Sequence, residues 1–178
     1  MAEISVTDTI DHPRELVFET FREKLEDLVE YLPDIESIEN KNEEEIDDAT
    51  YKVVRLWKAR DEEVPKVARK FIKPEMLQWT DYATWHRDTW TCDWEMEVGF
   101  LPDAITAEGT NRYIDKDGST EIIISGDLKV DGSKIPGVPG LLSNKVGKAV
   151  EKFVVKLITP NLTDVNRGLE RYLAAQDE

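Results

Sequence analysis

From Leu141 to Leu173 the chain repeats apolar side chains at helical spacing for some thirty residues. Leu142, Val146, Ala149, Val150, Phe153, Val154, Leu157, Leu162, Val165, Leu169, Tyr172 and Leu173 fall on one stripe. Three- and four-residue spacing of this kind predicts one long amphipathic helix whose apolar face must be buried against another element. Pro160 lies inside the pattern and removes one backbone donor, which predicts a kink near positions 156–157 or a break into two helices. Either form can cover a sheet.

Most of the preceding chain has the two-residue period of strands. Ile4, Val6, Thr7, Thr9 and Ile10 read as an edge strand. Asp11-His12-Pro13 then resembles an N-cap followed by a proline at the first helical turn. Val17, Phe18, Phe21, Leu25, Leu28, Val29 and Leu32 form an apolar helical face that Pro33 ends, as one helix or two short ones. Strands are expected on both sides of a polar turn at 40–48, with Tyr51, Val53, Arg55 and Trp57 alternating afterwards. A short helix is expected over 64–72, where Val67, Ala68, Phe71 and Ile72 share a face.

Further on, Trp90, Cys92, Trp94, Met96 and Val98 alternate with Thr91, Asp93, Glu95 and Glu97, the pattern of a strand with one face buried and one in water. A hairpin over 105–130 turns at Asp115-Lys116-Asp117-Gly118. A Pro/Gly-rich connection, 131–140, leads into the final helix. The order predicts an α+β fold: a curved antiparallel β-sheet wrapped around a long C-terminal α-helix, with short N-terminal helices.

That order resembles the START-like superfamily, the helix-grip and polyketide cyclase-like proteins. The likeness rests on Asp11-His12-Pro13-Arg14-Glu15-Leu16-Val17-Phe18 after an opening strand. It rests equally on Gly126-Asp127-Leu128-Lys129-Val130, the Ile135-Pro136-Gly137-Val138-Pro139-Gly140 loop and the helix through Phe153. It covers nearly all of the chain, read as a single START-like domain over 1–178. The resemblance implies a cavity between sheet and helix, in a superfamily whose members bind sterols, phospholipids, plant hormones or polyketides and include cyclases and hydrolases.

Composition removes several other classes. A net charge of -15 repels a phosphate backbone, so nucleic acid is not an expected partner. Fourteen acidic and five basic residues lie between Glu26 and Glu63, which reads as a solvated acidic face. Cys92 is the only cysteine, so no intrachain disulfide can form. No basic leader followed by an apolar run and no span-length apolar segment is present, which makes a cytoplasmic location the expectation. Two histidines, His12 and His86, and one cysteine do not assemble a usual zinc site, and no glycine-rich phosphate motif is found, so neither metal nor cofactor is expected.

Candidate ligand contacts are therefore apolar and aromatic, with a few polar anchors. Trp79, Trp85, Trp90 and Trp94 fall within sixteen residues, and Trp79, Trp90, Trp94 and Met96 are candidates to line the cavity. Phe153 and Leu157 face them from the helix stripe. Arg55 and Arg112 are candidate inward charges for an anionic head group. His86 and Asp88 share a strand face and are a conceivable pair, but no nucleophile is assignable beside them and no catalytic residue is named. Lys145, Lys148, Lys152 and Lys156 form a basic stripe suited to transient contact with an anionic membrane. The leading expectation is non-catalytic binding or transport of a hydrophobic small molecule or lipid. A cyclase-, aromatase- or hydrolase-type enzyme using the same cavity, and an interaction module with an acidic surface, are the alternatives.

Overall fold

The structure is a computed structural model that describes residues 1–60, 77–99, 101 and 103–178, without the side chains at 153 and 156–161. The helix expected over 64–72 lies outside the described residues.

Seven strands, β1 (Ala2–Ile10), β2 (Ile35–Glu45), β3 (Thr50–Ala59), β4 (Gln78–His86), β5 (Thr91–Val98), β6 (Ile105–Asp115) and β7 (Thr120–Val130), form one sheet. Its order is β1-β7-β6-β5-β4-β3-β2, and every neighbouring pair is antiparallel. Strands β2 to β7 follow one another as a meander, and β1 closes onto the far edge beside β7. Among the described residues, two helices, α1 (Arg14–Glu23) and α2 (Ser143–Gln176), and 3-10 segments at Leu25–Tyr31, Gly132–Lys134 and Gly140–Leu142 complete the helix-grip architecture.

Period-two alternation sets one face inward along β1 and β3 to β7, whereas β2 is interrupted by register shifts between Ile35 and Ser37 and between Asn40 and Asn42. Ile4, Val6 and Ile10 of β1 meet Ile122, Ile124 and Leu128 of β7 on that face, all buried. Leu169 and Leu173 of α2 complete this part of the core. At the other end Phe18 of α1 is wholly buried and meets Trp85, Trp90 and Tyr113 edge-on, with ring centroids 5.2, 5.2 and 5.4 Å away. Such T-shaped contacts place ring edges on ring faces and each contribute about 0.5–1.5 kcal/mol beyond burial.

Several local expectations are corrected. Pro13, not Asp11, occupies the N-cap of α1, and no side chain caps the helix there. The corner is instead held by buried Thr120, whose Oγ1 donates to the His12 carbonyl at 2.8 Å. The apolar face through Leu32 divides at Lys24, at φ -121° and ψ 17°, into α1 and the 3-10 segment, the two-helix form of the expectation. Trp90 precedes β5 in a turn at φ 56°, rather than continuing that strand's inner face. α2, by contrast, is the one long helix that its spacing predicts, continuous through Pro160. Among the described residues, no helix is long and apolar enough to cross a membrane.

Candidate functional site

α2 packs on β1, β7 and the 3-10 segment, at one side of the sheet. The inner faces of β3, β4 and β5 beyond it carry Tyr51, Arg55, Trp57, Trp79, Asp81 and Met96, since odd positions on β3 and β4 and even positions on β5 point the same way. Tyr51, Trp79, Asp81 and Met96 are only half-buried although they point under the sheet. Tyr51, Trp79 and Met96 pack against the edge of the core and keep part of their surface accessible.

Arg55 is the polar centre of this face, only 1% exposed. Its Nε donates to Glu26 Oε1 at 2.6 Å and its Nη2 to the Arg22 carbonyl at 2.7 Å. Among the described residues, neither Nη1 nor the indole N–H of buried Trp57 meets a partner at hydrogen-bond geometry. Directly across the ladder from Arg55 stands Asp81. Burial pushes the Asp81 carboxyl up to about 6, against the opposing pull of the Arg55 charge and the nearby Trp57 N–H. That N–H stops short of hydrogen-bond geometry. Asp81 is enclosed by protein yet retains accessible surface, as a group lining an internal space does.

The surrounding groups are held neutral. Burial, then a 2.7 Å hydrogen bond to Glu43, raises the Tyr51 hydroxyl to about 12. Burial also raises the Cys92 thiol and the Tyr113 hydroxyl, and the Asp81 charge adds to both. A thiol kept protonated in this way is a poor nucleophile.

The residues singled out in the sequence separate into groups. Trp79 stacks on Trp57 with centroids 5.6 Å apart and planes 19° from parallel, forming a flat apolar surface beside Arg55. Met96 is the cross-strand partner of Asp81. Trp94 is buried, donates its Nε1 to Asn111 Oδ1 at 2.9 Å and covers Gly109 and Gly126. Trp90 belongs to the Phe18 cluster, with the Arg14 guanidinium 4.4 Å above its ring. Arg112 is exposed on the outer face, because its neighbours Tyr113 and Ala107 take the inner positions of β6. The side chains of Phe153, Leu157 and Lys156 lie outside the described residues. His86 faces outward too and meets Asp93 at 3.2 Å rather than Asp88. Among the described residues no three His, Cys, Asp or Glu groups gather as metal ligands.

Sequence reasoning missed Asp81 and Glu26. The signal for Asp81 was its phase with Trp79, Ala83 and Trp85, a carboxylate among core positions. A separate trough of about 780 Å³ lies on the outer sheet face. Glu3, Asp93, Glu95, Glu108 and Asp127 line it, and this carboxylate-rich surface does not suit an apolar ligand.

Residues 5–172 match the family described as "Protein of unknown function (DUF2505)". No curated protein matches the chain. The fold is similar to the crystal structure of TTHA0849 from Thermus thermophilus, at TM-score 0.69 and 21% identity, covering 99% of this chain and 100% of that one. It is similar also to the Zhui aromatase/cyclase from Streptomyces sp. R1128, at TM-score 0.64 and 14% identity over 97% and 95% of the two chains. A START superfamily protein from Mycobacterium smegmatis aligns at TM-score 0.56 and 14% identity over 98% of each chain.

Proposed function

We propose that this chain, which belongs to the DUF2505 family, is a non-catalytic carrier or sensor that holds a hydrophobic small molecule or lipid between its sheet and its long helix. The observation that carries this reading is the incomplete burial of Trp79, Asp81 and Met96 on the inner sheet face. A closed core of this size would bury them. The aromatic wall with a few polar atoms has the chemistry of small-molecule sites, and the Zhui aromatase/cyclase and the START superfamily protein share the fold. Native mass spectrometry of freshly purified protein tests it: a bound apolar species, or tryptophan fluorescence that saturates with fatty acids or aromatic ligands, is the expected result. Silence across a broad lipid and aromatic panel would remove the reading.

Loading is proposed to occur at the loop before α2. Leu141 is 100% exposed and Leu142 is exposed beside it, and Lys145, Lys148 and Lys152 follow on exposed helix positions. Apolar side chains next to cations fit an anionic lipid surface.

A cyclase- or aromatase-type enzyme in the same space is the second reading, favoured by Asp81 titrating near 6 in an enclosed site, within the range of useful acid–base catalysis. Turnover of a poly-β-ketone by wild type, lost in Asp81→Asn, would select it over a carrier.

A further inference from the structure

We infer that the inner-face site is built to hold a neutral hydroxyl, on an alcohol or phenol with an apolar body, in the gap between the Arg55 guanidinium and the Asp81 carboxylate. This rests on the carrier reading and specifies the head group that the site takes.

Unused hydrogen-bonding capacity comes first. Arg55 spends Nε on Glu26 and Nη2 on the Arg22 carbonyl, leaving Nη1 buried without a partner among the described residues. Trp57, two residues along the same inner face, also has a buried N–H that meets none of them at hydrogen-bond geometry. Leaving a buried donor without a partner is costly, so a ligand oxygen that accepts from it is favoured. Asp81 supplies the complementary acceptor. It faces Arg55 across the ladder, yet their charged atoms do not close to an ion pair, and the one donor that leans towards it, the Trp57 N–H, stops short of full hydrogen-bond geometry. Two donors and an acceptor on neighbouring strands are therefore short of partners, and Asp81 is the one of the three residues that keeps appreciable accessible surface.

Charge then decides what fits. The Arg55 cation is already neutralised by Glu26, 2.6 Å away, so Asp81 is a surplus negative charge. A ligand carboxylate or phosphate would bring a further charge next to it in an enclosed place, where like charges repel strongly. A hydroxyl brings none. Its oxygen accepts from Arg55 Nη1 or Trp57 Nε1 while its proton goes to the Asp81 carboxylate, so one group satisfies both sides. The stacked Trp57 and Trp79 rings lie along the same face and give the ligand body a flat apolar surface.

The experiment is isothermal titration of the whole chain at pH 7.5 with two matched probe pairs, 2-naphthol against 2-naphthoate and 1-dodecanol against dodecanoate. At least one hydroxyl probe should bind about tenfold more tightly than its carboxylate counterpart, the factor expected from one hydrogen bond to a charged group. Which pair shows the preference tells a phenolic ligand from an aliphatic alcohol. In Asp81→Asn the hydroxyl probe should lose most of that advantage while the carboxylate holds or gains. A carboxylate bound as tightly as its alcohol by wild type would overturn the inference while leaving the carrier reading intact, and so would an Asp81→Asn effect equal on both. If neither pair binds, the inference falls together with the carrier reading. The wild-type comparison needs no variant to fold.

Discussion

Asp8 on edge strand β1 and Arg167 on α2 meet at 2.6 Å, and this contact fastens the long helix to the sheet. Buried Asn166 donates to the same Asp8 oxygen at 3.0 Å, and Arg167 also reaches the Thr9 carbonyl at 2.9 Å. A gripping helix needs such a fixed end if the remainder is to move over a ligand.

Arg167→Met should therefore destabilise the protein by about 1–2 kcal/mol, more than an ordinary surface pair because two further hydrogen bonds converge there. Burial alone would raise the Asp8 pKa, but hydrogen bonds from Arg167 and Asn166 outweigh it and hold the carboxyl below its ordinary value. Its contribution is thus fully present above about pH 4, where an unfolded aspartate titrates, and is lost as pH falls through the lower folded value. Urea unfolding of wild type and Arg167→Met should converge towards pH 3. A gap that stays constant from pH 7 to pH 3 would mean that Asp8 is not the partner that matters.

Asp81 has the opposite sign. Its folded pKa, about 6, lies above the unfolded value, so the native state holds this proton more tightly than the unfolded chain does. Its ionisation costs nothing below about pH 4, removes stability as pH rises to about 6, and leaves a constant penalty above that. The groups facing it are Arg55 and Trp57 of β3, Cys92 of β5 and Tyr113 of β6. Asp81→Asn should match wild type at pH 4 and be more stable at pH 7.5 by an amount on the order of 1–3 kcal/mol. Loss of stability at pH 7.5 would show that the carboxylate is structural. A gain is the usual mark of a charge kept for a ligand at the expense of the fold.

Gly109 and Gly126 pair across β6 and β7 beneath the Trp94 indole. A Cβ on Gly109 would stand 2.4 Å from the Trp94 ring and 2.3 Å from the Ser125 carbonyl. Gly109→Ala should cost about 1–3 kcal/mol by overpacking. Gly140→Ala, at a position with open space around it, should stay within about 0.5 kcal/mol of wild type. Thermal unfolding of the two variants makes the comparison, and equal midpoints would contradict the packing assigned to Trp94.

Why the long helix was readable and parts of the site were not follows from the range of the forces involved. The stripe from Leu142 to Leu173 records a helix in its own spacing, with Leu169 and Leu173 buried and Val154, Leu162, Val165 and Tyr172 packed against the core, and the helix continues through Pro160 because one missing backbone bond is small beside such packing. Trp90 was misplaced because an aromatic before Thr91 and Cys92 has strand propensity, whereas its contacts with Phe18 and Arg14 favour the turn. Arg112 was put in phase with Thr110 and Ile114 correctly, but which phase faces inward depends on Ala107 and Tyr113. Asp81 acquires meaning only through its register with Arg55, twenty-six positions away, and no local pattern encodes that pairing.

The exposed loop before α2 gives the last prediction. Leu141 contacts nothing that would keep it from water, and Lys145, Lys148 and Lys152 follow within three helical turns. The whole chain carries a charge of -15, so any attraction to an anionic surface must be local and oriented. Sedimentation with phosphatidylcholine vesicles containing phosphatidylserine should recover wild-type protein at low salt, and less at physiological salt. Leu141→Asp should weaken recovery at both salt concentrations, because it removes an inserting side chain and adds a charge. Replacing Lys148 and Lys152 by glutamine should weaken it chiefly at low salt, by several-fold, at about 1 kcal/mol per lysine near the surface. Equal recovery with pure phosphatidylcholine, or none with either vesicle, would show that ligand enters without a membrane encounter.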